Sequence, residues 1–122
     1  MIYAIDFDGT LCRDRFPEIG EPRTAVIHFV KRLRAQGDKL ILWTCRSGDD
    51  LEAAVAWCEA LGLTFDAVND NLPENIARYN NNCRKVNADY YIDDRNFPLQ
   101  LREERDFEQK TTTQPPRAGV SI

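Results

Sequence analysis

The chain has 122 residues, with 16 basic against 20 acidic side chains and a formal net charge of −4. That length supports one domain with a single core, and that charge gives no general attraction for nucleic acid. No stretch of about 18 apolar residues is present to span a membrane, and no basic region followed by an apolar run marks the N-terminus, so a cytoplasmic protein is the expectation.

The cysteines Cys12, Cys45, Cys58 and Cys83 have neither C-x-x-C spacing nor histidine neighbours, which argues for reduced thiols rather than zinc or disulfides. Glu18, Leu51, Thr64 and Asp89 stand where a cysteine-nucleophile phosphatase carries its arginine, so that chemistry is excluded. The single histidine, His28, falls on the polar side of a helix, and serine–histidine catalysis has no other candidate.

In chain order, Met1–Ile5 reads as a short buried strand running into Asp6-Phe7-Asp8-Gly9-Thr10. Cys12 to Pro22, with two prolines and a glycine, reads as a loop. Val26, Ile27, Val30 and Leu33 recur at helical spacing up to Gly37. Lys39–Thr44 is apolar on both faces, as a central parallel strand is. Asp49 or Asp50 is placed to cap a second helix, whose stripe of Leu51, Ala54, Val55, Cys58 and Leu61 ends at Gly62 and buries Cys58. Phe65–Val68 predicts a third strand and Ala88–Ile92 a fourth, with a polar, Asn-rich loop between them. Leu99 to Phe107 predicts a last short helix. Residues 1–109 are then expected to form one domain, and 110–122 a flexible tail without periodicity.

Strand alternating with helix predicts an α/β, doubly wound three-layer sandwich around a mainly parallel sheet. Ligands of such sheets gather beyond the carboxyl ends of the strands. Those ends carry Asp6 and Asp8, Thr44, and Asp93-Asp94. Asp6 and Asp8 alternate to the same side of their strand, so their charges crowd each other unless a divalent cation intervenes, and oxygen-only clusters suit Mg²⁺. Gly9 lets the backbone turn sharply off the strand. A strand ending in a solvated acidic turn is the plain alternative for this motif alone.

Four segments in order, Asp6-Phe7-Asp8-Gly9-Thr10, Leu42-Trp43-Thr44-Cys45-Arg46, Lys85, and Tyr91-Ile92-Asp93-Asp94, resemble the four-motif signature of the haloacid dehalogenase superfamily of phosphotransferases. The resemblance covers residues 1 to about 97 and implies a Mg²⁺-dependent phosphatase. Asp6 would be the nucleophile that forms an aspartyl-phosphate. Asp8 would protonate the leaving group and then activate water, its backbone carbonyl also coordinating Mg²⁺. Transport ATPases carry Thr at the position of Asp8, and dehalogenases lack the acid there.

Thr44 would hydrogen-bond a phosphoryl oxygen, and Lys85, selected by its order among the lysines, would balance charge. Asp93 and Asp94 would complete the metal site with Asp6 and Asp8, the division between them left open. Gly9, Thr10, Cys45 and Arg46 flank the motifs and are expected along the substrate phosphate. Each has an ordinary alternative: a β-branched strand end for Thr44, a solvated loop for Lys85, surface ion pairs for Arg46 and Arg95.

Gaps between the motifs are too short for a cap, so the site would be open, rimmed by Phe16–Pro22 and Asn69–Asn82. An open site implies a phosphorylated small molecule or macromolecular end as substrate, a polynucleotide end among them, or closure by a second subunit. The alternatives in other classes are a receiver-type phospho-acceptor module and a catalytically quiet phosphate-binding protein.

Overall fold

The structure is a computed structural model and describes residues 1–96. The helix predicted over Leu99–Phe107 and the tail of residues 110–122 lie outside the described residues.

Strand β1 (Ile2–Ile5) is followed by β2 (Cys12–Arg15), β3 (Glu18–Pro22), helix α1 (Thr24–Ala35), β4 (Lys39–Leu42), α2 (Gly48–Ala60), β5 (Ala67–Val68), α3 (Pro73–Tyr79) and β6 (Tyr90–Ile92). Strands β5, β4, β1 and β6 hydrogen-bond in that order into a four-stranded sheet whose pairs are all parallel. The α/β class with a parallel sheet is therefore as expected. Among the described residues no helix is long and apolar enough to cross a membrane.

Alternation along the central strands divides the core in two. Ile5, Leu40 and Leu42 join Ile27, Val30 and Leu33 of α1 and Ala54 and Cys58 of α2 in one buried cluster. Ala4 and Ile41 face the other way, toward Leu72 and Val86. His28 is exposed and Cys58 buried, as their positions on the helices predict.

Two segments read as loops are structured. Cys12 to Pro22 is an antiparallel hairpin of β2 and β3. Its outer residues are polar and exposed, so it lacks the apolar alternation that announces a strand. Gly20 permits the pairing, because a Cβ there would fall on the carbonyl of Arg13. The Asn-rich stretch holds α3, with Pro73 in its first turn and Asn80 in the left-handed conformation (φ 51°) at its end. With seven residues and none buried, α3 has no apolar stripe to detect.

Boundaries shift as well. Trp43 and Thr44 lie beyond β4, while β5 and β6 begin two residues later than predicted. Ser47, not Asp49 or Asp50, stands at the N-cap of α2, and the two aspartates sit in its first turn against the positive end of the helix.

Candidate active site

The site grows from the carboxyl end of β1. Parallel register pairs Ala4 with Tyr91 and Ile5 with Ile92, and the Asp6 N–H donates to the Ile92 carbonyl at 2.9 Å. One step further along both strands, Asp6 comes to lie beside Asp93, at the spacing of neighbouring strands. Phe7 turns inward, fully buried, its ring edge-on to Trp57 at 5.4 Å. Anchored so, the chain presents Asp6 and Asp8 outward on either side of a core residue.

Asp6, Asp93 and Asp94 each offer a carboxylate oxygen, and these oxygens lie within 4.8 Å of one another. Burial, then the charge of Asp93, pushes the Asp6 carboxyl up from 3.8 to about 7. A hydrogen bond with Asp94 adds to the rise, and the Phe7 N–H and the Thr10 hydroxyl (3.2 Å from Asp6 Oδ2) oppose it. Three hard oxygen donors without nitrogen or sulfur are the donor set of Mg²⁺ or Ca²⁺, and a dication would relieve the repulsion. Gly9 (φ +85°) is required here, because a Cβ at that position would fall on the Asp94 carboxylate.

Asp8 stands apart from this trio. Its two carboxylate oxygens accept Nε and Nη2 of Arg46, each at 2.8 Å. The remaining guanidinium donors go to the carbonyls of Pro17 and Asp50 from Nη1, and of Glu18 from Nη2. All five N–H donors of Arg46 are thus engaged. Its guanidinium carbon lies 5.1 Å from the Phe7 ring centroid and 5.0 Å from that of Phe16, and the residue is 2% exposed. The pair with Asp8 is the main reason its pKa is raised, against the opposing effect of burial. Expected on the substrate, Arg46 instead has no donor left for one; it ties Asp8 to the hairpin tip and to α2.

A cavity of about 340 Å³ collects Asp6, Asp8, Thr44, Cys45, Arg46, Asp93 and Asp94, with Asp14, Phe16 and Arg95 at its rim. The Thr44 Oγ1 accepts the Arg46 N–H at 3.2 Å, which leaves the hydroxyl proton to point elsewhere. Cys45 is exposed on the wall. Arg95 reaches Asp14 and Asp94 at 3.7 and 3.9 Å from an exposed position.

Besides Arg46, three residues lie elsewhere than expected. Lys85 does not line this cavity; it borders a separate one of about 470 Å³ with Asn75, Tyr79 and Tyr91, its ammonium 5.5 Å from the Tyr91 ring centroid. Thr10 is buried, its hydroxyl directed at Asp6 rather than at a substrate. Gly9 borders a neighbouring cleft beside Asp94 instead of the acidic cavity. Sequence reasoning placed Asn69 only at the start of a rim segment and missed its positioning role. Its side chain accepts the Thr44 N–H at 2.8 Å and donates to the Arg46 carbonyl at 3.2 Å, pinning the loop that carries both. The available signal was an Asn directly after a strand, where it adopts φ 53°.

Fold and cavity together define an α/β protein with a carboxylate-lined site at the carboxyl ends of two neighbouring parallel strands. No family model and no curated protein matches the chain. It is similar to a solved structure described as that of a conserved protein coded by a locus from Bacteroides thetaiotaomicron, at 36% identity and a TM-score of 0.71, over 93% of this chain and 98% of that one. The chain belongs to the same family as that conserved protein.

Proposed function

We propose that this protein is a Mg²⁺-dependent phosphomonoester hydrolase of haloacid dehalogenase type, a doubly wound sandwich without a cap. The observation that carries the reading is the convergence of Asp6, Asp93 and Asp94 within 4.8 Å, with Asp8 and Thr44 in the same cavity. Those three carboxylates would hold Mg²⁺, which supplies charge neutralisation to the phosphoryl oxygens and to Asp6. Asp6 attacks phosphorus, forming an acyl-phosphate bond as the ester P–O bond breaks, and the leaving alkoxide takes a proton from Asp8. Asp8 then removes a proton from water, which attacks the phosphorus, frees inorganic phosphate and regenerates Asp6. Thr44 donates its hydroxyl proton to a phosphoryl oxygen.

Arg46 holds Asp8 in place for both proton transfers: it occupies one lone pair on each carboxylate oxygen and leaves the other free to carry a proton. A phosphorylated small molecule or macromolecular end remains the substrate class, met in the cytoplasm.

Hydrolysis of 4-nitrophenyl phosphate, with and without Mg²⁺, tests the reading in wild type and Asp6→Asn. Turnover that needs the metal and vanishes in the variant supports it; turnover that survives Asp6→Asn, or ignores chelation, ends it. Thr44→Ala is expected to lower kcat roughly 100-fold.

One observation favours a second reading, a catalytically quiet protein that binds phosphate or a cation. Lys85, the ammonium expected to balance the phosphate, borders a different cavity. Saturable Mg²⁺ binding without turnover across a panel of phosphate esters would select it. The receiver-type alternative gains nothing: Asp70, its candidate acceptor after the third strand of the sheet, is held by Arg84 and Asn82 and lies outside the acidic cavity.

A further inference from the structure

Beside the acidic cavity lies a second cleft of about 650 Å³, lined by Arg13, Arg15 and Arg23 together with Gly9, Asp14 and Asp94. The two share Asp14 and Asp94, so they are neighbours across the hairpin root. Arg13 and Arg15 stand two residues apart on β2. Arg23 immediately precedes α1. Three arginines therefore line one cleft with two aspartates on a protein whose net charge is −4.

These arginines are poorly compensated. Arg13 meets Glu21 at 3.9 Å with both side chains mostly in solvent, a geometry that contributes little. Arg15 and Arg23 make no ion pair among the described residues. The adjoining start of α1 has no acidic residue in its first turn and no side-chain cap, so its positive end is not neutralised from within the helix. Planar guanidinium forks match phosphate oxygens two at a time, which makes such a cleft an anion subsite.

We infer that the substrate carries a second phosphate group beside the one to be cleaved, and that Arg15 and Arg23, with Arg13, hold that second group in the hairpin cleft. The inference rests on the hydrolase reading for the first phosphate and adds a selectivity to it. A monophosphate has only the carboxylate-lined cavity to hold it; a second phosphate in the adjoining basic cleft adds attraction and sets the substrate's direction.

Alkanediol bisphosphates of increasing length, each paired with the alkyl monophosphate of the same length, test the inference with the full chain and Mg²⁺. The expected result is a KM about tenfold or more lower for the best bisphosphate than for its monophosphate. In Arg15→Gln/Arg23→Gln that ratio should collapse toward one, and raised salt should shrink it in wild type. Turnover without a preference at any length, or a preference that survives the double substitution, overturns the inference and leaves the hydrolase reading standing. Calorimetry of the same bisphosphates on Asp6→Asn separates the two claims. Arginine-dependent binding alongside no turnover in wild type supports the subsite and overturns the hydrolase. No arginine-dependent binding overturns the subsite.

Discussion

Replacing Arg46 by Met tests the connection on which the placement of Asp8 depends. The substitution keeps an unbranched apolar stem between Phe7 and Phe16 but removes the guanidinium. Asp8 then loses both of its 2.8 Å donors, and the carbonyls of Pro17, Glu18 and Asp50 lose theirs. Breaking a buried pair from one side costs about 3–5 kcal/mol, because it strands a charge. The Asp8 side chain is 18% exposed, so water recovers part of that, and the lower end applies. Losing the two ring contacts adds about 1 kcal/mol. A total near 4 kcal/mol corresponds to a fall in Tm of roughly 16–32 °C in a domain of this size.

Urea unfolding followed by circular dichroism measures the loss directly. Adding Asp8→Asn to Arg46→Met removes the stranded charge, so the double variant should be more stable than Arg46→Met alone. A cost below about 1 kcal/mol for Arg46→Met, or a double variant destabilised by the sum of its singles, would refute the coupling.

The Asp6 carboxyl, raised from 3.8 to about 7, makes metal-free stability fall with pH. Its contribution is complete below the unfolded value of 3.8 and is lost as pH rises through about 7; denaturation midpoints across that window should show the decline, Asp6→Asn should flatten it and Mg²⁺ should reverse it at the alkaline end. Gly9→Ala strains a backbone at φ +85° and drives a methyl into Asp94, so Mg²⁺ affinity measured by calorimetry should drop along with about 1–3 kcal/mol of stability. Asn69→Leu unpairs the Thr44 N–H and the Arg46 carbonyl, and about 1–3 kcal/mol should be lost in the same urea assay. Lys85→Gln should leave Mg²⁺ affinity within about twofold, since Lys85 borders another cavity; a larger fall would place its ammonium among the carboxylates.

Legibility followed burial. The strands of the sheet and the two longer helices carry apolar residues at their own periods, because each presents a face to one of the two buried clusters. The hairpin and α3 bury almost nothing, so their sequences carry no such period. They form because the chain around them is anchored: Arg46 holds the hairpin turn through the carbonyls of Pro17 and Glu18, and buried Asn71 holds the segment after α3 through Asn82, Cys83 and Asn87. Tertiary hydrogen bonds of that kind leave no local pattern to read.

The acids were legible for a geometric reason that the lysine lacks. Asp6 and Asp93 each directly follow a strand, and parallel register between neighbouring strands fixes where such residues meet. Lys85 follows no strand or helix end that would aim it; it lies in a loop after α3, and its order in the chain constrains its place in space very little. Arg46 misled for a related reason. A residue two positions past a strand-end Thr looks accessible, yet whether its fork turns outward depends on carbonyls contributed by the hairpin and by α2. Charge alone tells a reader that a guanidinium must be satisfied; which groups satisfy it is a property of three segments at once, and the fold supplied all five acceptors from within.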